Sequence, residues 1–338
     1  MTAESGERIA VVGGGSWGTA FAAMLAEQHE DISLWVREPE VCAGILSHRE
    51  NRAFLPGVQL PEAVRPTTEL GVALDGRRIV ALAVPSQHLR DVGERCAPHL
   101  DPGAVVVSLT KGLESGTLLR MTEVLEQVLP EVRARFAVLS GPTFAREVAA
   151  GIPSGAAVAS KDLTVATALQ ATFSGKRFRV YAGTDVTGVE IGAALKNVMA
   201  IAAGMSDGLG FGHNARALLI TRGLAEISRV GNRLGADPQT FYGLSGLGDL
   251  VLTCTGDLSR NRMVGVRVGK GERITDILAG MRMVAEGVRT ASAAVDLSRR
   301  TGVAMPISEQ VHLILHEGKN ARTAVTELLS RALRREKD

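Results

Sequence analysis

Residues Gly243 to Arg262 read GLSGLGDLVLTCTGDLSRNR. Glycines at Gly243, Gly246 and Gly248 lead into a carboxylate, Asp249, and the stretch ends on Ser259, Arg260 and Asn261. Glycine lets backbone approach a ligand, and an arginine fork beside an asparagine suits a phosphate or a carboxylate. A second segment, Ile191 to Met205, reads IGAALKNVMAIAAGM; Lys196 is its one charge and Asn197 its one other polar side chain. A helix apolar on nearly all sides is a buried one. A lysine inside it needs a partner, and burial pushes its pKa down toward the range of a useful proton donor or acceptor. The bland alternative is a lysine whose stem snorkels to the surface; the adjoining Asn197 favours a polar pocket instead.

A third signal lies near the N-terminus. Gly13-Gly14-Gly15-Ser16-Trp17-Gly18 follows an apolar run, and Gly13, Gly15 and Gly18 fit the G-x-G-x-x-G spacing. In that motif the first glycine makes a tight turn, the second admits a pyrophosphate, and the third packs helix on strand. The second run, Ile32–Val36, is followed by Arg37 and Glu38. A carboxylate at this point favours the ribose of NAD, whereas an arginine pairs with the 2′-phosphate of NADP. Arg37 comes first, so NADP(H) is favoured and NAD(H) stays open. Thr110-Lys111-Gly112 and Ser140 to Ala145 (SGPTFA) close two further apolar runs, and ligands sit at such strand ends in open parallel sheets. His88, His213 and His312 are isolated in the sequence and are read as surface or core residues.

These groups need a scaffold. Apolar, β-branched runs recur at Arg8–Val12, Ile32–Val36, Arg78–Val84, Ala104–Thr110, Phe136–Ser140, Ala156–Ser160 and Arg177–Tyr181, with helix-like stretches such as Gly18–His29 and Leu118–Leu129 between them. Strand–helix alternation predicts a mostly parallel sheet covered by helices. From about Asp185 the β-rich runs disappear. Residues Asn214 to Leu234 place Ile220, Leu224, Ile227, Gly231 and Leu234 on one helical stripe, with Arg216, Arg222, Glu226, Arg229 and Arg233 off it. The expected division is an α/β dinucleotide-binding domain over residues 1–188 and an all-helical domain over 189–338. Residues 40–75, with Arg49, Asn51 and Arg52 before Phe54-Leu55-Pro56-Gly57, read as a loop-rich insert with no assigned function, placed so that it could cover the cofactor.

Composition narrows the function classes. The 338 residues carry a net charge of +2, with 45% hydrophobic and 22% charged side chains, as in an ordinary soluble globule. No basic block calls for nucleic acid. The three cysteines, Cys42, Cys96 and Cys254, are far apart, with neither metal-ligand spacing nor a disulfide framework. The polar start MTAESGER is unlike a secretory signal, and no charge-free apolar run reaches the roughly 20 residues of a membrane span. A cytoplasmic enzyme without a metal is expected.

Taken together, GGGSWGTA, LTKG, SGPTFA, ALKNV, LITRGLAEI, GLGDLVLTC, SRNR and VAEGVRTA resemble the bacterial-type NAD(P)-dependent glycerol-3-phosphate dehydrogenase family over nearly the whole chain. The resemblance implies a Rossmann-type domain followed by a helical domain like the C-terminal one of 6-phosphogluconate dehydrogenase. It implies reversible reduction of dihydroxyacetone phosphate to sn-glycerol 3-phosphate, the backbone for phospholipid synthesis, in a homodimer. It makes Lys196 the general acid/base, with Asp249 and Lys111 beside it. Lys111, Gly141, Thr143, Lys196, Asn197, Asp249, Ser259, Arg260 and Asn261 would bind substrate. The glycine loop, Ser16, Trp17, Arg37, Lys111, Ala145, Arg260, Val284 and Glu286 would bind the cofactor. Two rival readings are a related two-domain hydroxy-acid dehydrogenase, whose carboxylate Arg260 could also hold, and a non-catalytic NADPH-binding protein, which leaves Lys196, Asn197 and Asp249 without a task.

Overall fold

The computed structural model describes residues 7–336 apart from 282 and 334; the start of the polar segment MTAESGER lies outside them. Among the described residues, β1 (Ile9–Val12), β2 (Ile32–Trp35), β3 (Val64–Thr67), β4 (Ile79–Leu82), β5 (Val105–Ser108), β6 (Phe136–Ser140), β7 (Ser154–Ser160) and β8 (Phe178–Gly183) form one sheet. Its order is β3-β2-β1-β4-β5-β6-β7-β8. All neighbours run parallel except the antiparallel pair β6–β7. The first six strands follow the doubly wound order, which reverses between β1 and β4.

Helices cover both faces: α1 (Ser16–Leu25), α2 (Pro39–His48), α3 (Leu70–Leu74), α4 (Leu89–Cys96), α5 (Met121–Val128), α6 (Ala145–Ala149) and α7 (Leu163–Phe173). β1, β2 and β4 are therefore buried at every position, which is why they read as unbroken apolar runs and not as alternation. Ile9, Val11, Ile32 and Leu34 pack with Phe21 and Phe173 on one face, while Ala10, Val12, Val80 and Leu82 pack with Leu89 and Leu125 on the other.

The 40–75 region is not the loop-rich insert its sequence predicts, since it holds α2, β3 and α3. β3 reads VRPT, and an arginine and a proline hide a strand from any hydrophobic pattern. It pairs only with β2, and a sheet edge is where a strand proline is tolerated.

Beyond β8 the described elements are helical: α8 (Val186–Gly208), α9 (His213–Arg233), α10 (Asp249–Thr255), α11 (Arg260–Gly269), α12 (Ile274–Ala279), α13 (Glu286–Thr301), α14 (Pro306–Glu317) and α15 (Ala321–Leu329). α8 is the axis of this layer, with α9, α10, α11, α13 and α14 packed around it. It is the one described helix long and apolar enough to cross a membrane, but 94% of its apolar window is buried inside the protein, as in a core helix. Its first turn still rests on the sheet, where Val186 and Val189 meet Val138 and Ala159.

The α9 stripe needs a correction. Glu226 falls off the apolar face by periodicity, yet it is 1% exposed. Its carboxylate accepts hydrogen bonds from the Ile307 and Ser308 amides and the Ser308 hydroxyl. It caps the N-terminus of α14, whose first amides lack partners within their own helix. Leu234, at the end of the stripe, is instead 36% exposed.

α8 and α11 touch backbone to backbone. A Cβ on Gly265 would lie 2.1 Å from the Ile201 carbonyl oxygen, and one on Gly204 would lie 2.0 Å from that of Arg262. This contact places the start of α11 beside Lys196 and Asn197. Gly265→Ala should therefore push the helices apart at a cost of about 1–3 kcal/mol. A lower Tm together with a higher substrate KM is expected; unchanged values of both would show that the close approach is unnecessary.

Candidate active site

Lys196 lies in the middle of α8 and is 5% exposed. It does not snorkel. Its Nζ donates to Oδ1 of Asp249 and, at 2.9 Å, to Oγ1 of Thr253. Asp249 opens α10 directly after a π-helical turn, Leu244–Gly248, a distortion often found at functional sites. Its second oxygen, Oδ2, accepts from Lys111 Nζ at 2.7 Å. Lys111, just past β5, also donates to the Gly141 carbonyl at 3.1 Å. Gly141 follows β6, and a Cβ there would come within 2.7 Å of Ala156 Cα. The carboxyl ends of β5 and β6 thus meet α8 and α10 around one buried carboxylate.

The electrostatics follow from this packing. Burial pushes the Lys196 ammonium down from its ordinary value to about 7; Asp249 opposes that shift and Lys111 adds to it. Burial alone would raise the Asp249 carboxyl, but the two lysines outweigh it and hold Asp249 below the usual carboxylate range. Two ammonium groups share one carboxylate, so with both lysines protonated the cluster carries excess positive charge. Such a site favours an anionic ligand and negative charge developing on an oxygen.

Thr253 is a site residue that sequence reasoning passed over. Its hydroxyl donates to the Asp249 backbone carbonyl at 2.6 Å and receives the Lys196 ammonium. The signal was its spacing, since Asp249 and Thr253 are four residues apart on one helix face.

Ser259 caps α11 by accepting from the Arg262 amide at 3.2 Å. Arg260 begins the helix; burial pulls its guanidinium below the ordinary value, partly offset by Glu286. Its guanidinium makes no hydrogen bond or ion pair among the described residues. Asn261 is not free in the same way. Its Oδ1 accepts from the Gly287 amide and its Nδ2 donates to Asn197 Oδ1, both at 3.0 Å. Arg262 holds the turn, bound to Asp207 at 2.8 Å and Asp257 at 2.9 Å. Of the glycines before Asp249, Gly246 serves packing: a Cβ there would lie 2.2 Å from the Phe241 carbonyl oxygen. It brings backbone to backbone, where the sequence suggested backbone to ligand.

The glycine loop lies at the reversal between β1 and β4. Gly13 has φ +126°, and a Cβ there would strike the Ala83 carbonyl oxygen at 2.5 Å. A Cβ on Gly18 would lie 2.0 Å from the Gly13 carbonyl oxygen, so helix packs on strand there. Gly15 faces open space within 4 Å of its Cβ direction. These are the three roles a dinucleotide loop requires, and the first amides of α1 point where a pyrophosphate would lie. The residues present fit a nicotinamide dinucleotide.

The remaining cofactor candidates surround this loop. Ser16 Oγ donates to the Phe54 carbonyl at 2.6 Å and lies 3.2 Å from Met283 Sδ. Trp17 packs on Phe21, and its buried indole N–H has no acceptor among the described residues. Arg37 is exposed and forms a 2.6 Å salt bridge with Glu38. Ala145 begins α6, and the nearby Thr143 hydroxyl donates to the Gly141 carbonyl at 3.2 Å. Val284 is 45% exposed. Glu286 accepts from the Ser86 amide at 3.1 Å and its hydroxyl at 2.7 Å, tying the turn after β4 to α13. Ser86 was missed, because only the fold brings it to Glu286. His88 and His213 are exposed, while His312 lies against His316 and Ser292.

A doubly wound nucleotide layer joined to a helical layer that carries a paired lysine defines a class: two-domain, dinucleotide-dependent oxidoreductases. The sequence matches the NAD-dependent glycerol-3-phosphate dehydrogenase N-terminus over residues 8–166 and the C-terminus of the same family over residues 185–326. The chain belongs to the NAD-dependent glycerol-3-phosphate dehydrogenase family. It is 54% identical over 332 residues to the glycerol-3-phosphate dehydrogenase [NAD(P)+] of Geobacter sulfurreducens, covering 98% of this chain and 99% of that one. The enzyme of the same description from Nitratidesulfovibrio vulgaris is 52% identical over 329 residues, 97% of this chain and 100% of the relative. The crystal structure of glycerol-3-phosphate dehydrogenase from Coxiella burnetii superposes with a TM-score of 0.91 at 38% identity, covering 96% of this chain and 99% of that one.

Proposed function

We propose that this chain reduces dihydroxyacetone phosphate reversibly to sn-glycerol 3-phosphate with NADPH or NADH. The observation that carries the reading is the buried Asp249 carboxylate shared between Lys196 and Lys111. When bound, the nicotinamide supplies the hydride. Lys196 donates the proton to the carbonyl oxygen as charge develops there, and in the reverse direction its neutral amine takes that proton back. Lys111 adds a second positive charge at the same oxygen-binding end. Asp249 orients both ammonium groups and partly offsets the loss of the Lys196 proton that burial favours. Arg260, with the α11 amides behind it, receives the substrate phosphate. Gly141 and Thr143 line the triose, while Asn261 acts mainly by holding Asn197.

The chain divides within the first turn of α8 into a nucleotide domain, 1–188, and a substrate domain, 189–338. It places the enzyme in the cytoplasm as a homodimer, as expected of the family. NADPH is the preferred reductant on the strength of Arg37. The Arg37–Glu38 pair is exposed, and such pairs hold with only about 0–1 kcal/mol, so a 2′-phosphate can recruit the guanidinium.

Two outcomes test the reading. NADPH absorbance should fall on addition of dihydroxyacetone phosphate but not of unphosphorylated dihydroxyacetone, and Lys196→Ala should lower kcat by about 10²–10⁴-fold with cofactor affinity nearly unchanged. Near-normal turnover in that variant would remove Lys196 from the chemistry. Arg37→Glu should raise the KM for NADPH far more than that for NADH; an equal change in both would take Arg37 out of cofactor selection.

A further inference from the structure

The segment at residues 51–54 carries more than its sequence announced. Asn51 is 1% exposed and sits against the glycine loop, 37 residues away in the chain. Its Nδ2 donates to the Gly14 carbonyl and to Thr19 Oγ1, both at 2.8 Å. Its Oδ1 accepts from the Phe54 amide at 3.1 Å. The orientation of this amide is fixed, because a backbone N–H can only donate and a carbonyl can only accept. Thr19 Oγ1 adds a longer contact to the same Gly14 carbonyl at 3.3 Å. Three residues on, the Phe54 carbonyl receives the Ser16 hydroxyl.

In a trans peptide the carbonyl of one residue and the N–H of the next point in opposite directions. Gly14 and Gly15 share such a peptide, and none of the described bonds is cis. Holding the Gly14 carbonyl inward on Asn51 therefore turns the Gly15 N–H outward. That amide has no acceptor among the described residues, and the space beside Gly15 is open. We propose that Asn51 is a positioning residue for the dinucleotide: it fixes the Gly14–Gly15 peptide so that the Gly15 amide faces the pyrophosphate. The inference rests on the dinucleotide reading above. It gives the 40–75 region a task, since α2 and β3 support the turn that carries Asn51 under the loop.

Asn51→Asp is the diagnostic change. It keeps the side chain's shape and its acceptor for the Phe54 amide, but it cannot donate to the Gly14 carbonyl. Dissociation constants are measured for NADPH, for ADP-ribose and for adenosine 2′-monophosphate, with Tm as a check on folding. The variant should weaken NADPH and ADP-ribose by roughly tenfold or more and leave adenosine 2′-monophosphate, which lacks the pyrophosphate, unchanged. If Asn51→Asp does not fold, Asn51→Ala, which removes the donor without adding a charge, carries the same comparison. Unchanged NADPH affinity overturns the inference, and so does an equal loss for all three ligands, which would make Asn51 a general support of the domain. Failure of the wild type to bind NADPH or ADP-ribose would instead overturn the dinucleotide reading beneath it.

Discussion

The site depends on one constraint: a carboxylate cannot be buried alone. Asp249 is 1% exposed, and an isolated ion in such a place would neutralise or unfold its surroundings. Both of its oxygens are instead taken by lysines, and a serine and a threonine hydroxyl lie close by. The lysines arrive from different layers, Lys196 from the central helix and Lys111 from beyond the carboxyl end of β5 in the middle of the sheet. Satisfying Asp249 therefore docks the helical layer on the nucleotide layer, and the same bond opposes the loss of the Lys196 proton that burial favours. Stability and chemistry share an interaction here, and removing either lysine would leave the carboxylate only partly compensated.

A second set of contacts holds the two layers in register. Glu190, on α8 one and a half turns before Lys196, is fully buried and accepts from Arg120, the Thr122 amide and the Thr122 hydroxyl at the start of α5. Glu286 binds the Ser86 turn. The turn at the start of α11 is positioned from the other side, by the backbone contact of α8 with α11 and by the Arg262–Asp207 pair. Each of these contacts is a carboxylate meeting amides, hydroxyls or a guanidinium, or a glycine admitting a neighbouring backbone. Such contacts are directional, and so fix orientation in a way apolar packing alone does not.

Much of this was legible in the sequence because the signals were local. The glycine spacing after the first apolar run, the lone charge in an apolar helix, and the alternation of runs and helical stretches each lie within a short window. What stayed hidden was long-range. Glu226 reads as a surface residue until α14 is placed over it, 81 positions away. Ser86 and Glu286 meet across 200 residues. β3 was invisible because an edge strand need not be apolar, and Asn51 looked idle because its partners are backbone atoms of another segment. Gly246 admits the Phe241 backbone where a ligand was expected, since glycine permits close approach without saying what approaches.

The most direct test of the central claim is the pH dependence of kcat/KM for triose phosphate reduction. Lys196, brought down to about 7 by burial, donates as its ammonium form, which predominates below that pH and is lost above it. Reduction should therefore fall as pH rises through about 7, and glycerol 3-phosphate oxidation, which needs the neutral amine, should rise over the same interval. A reduction rate that stays flat through neutrality and falls only near the ordinary lysine range would contradict the account, because burial would then not be setting the proton donor.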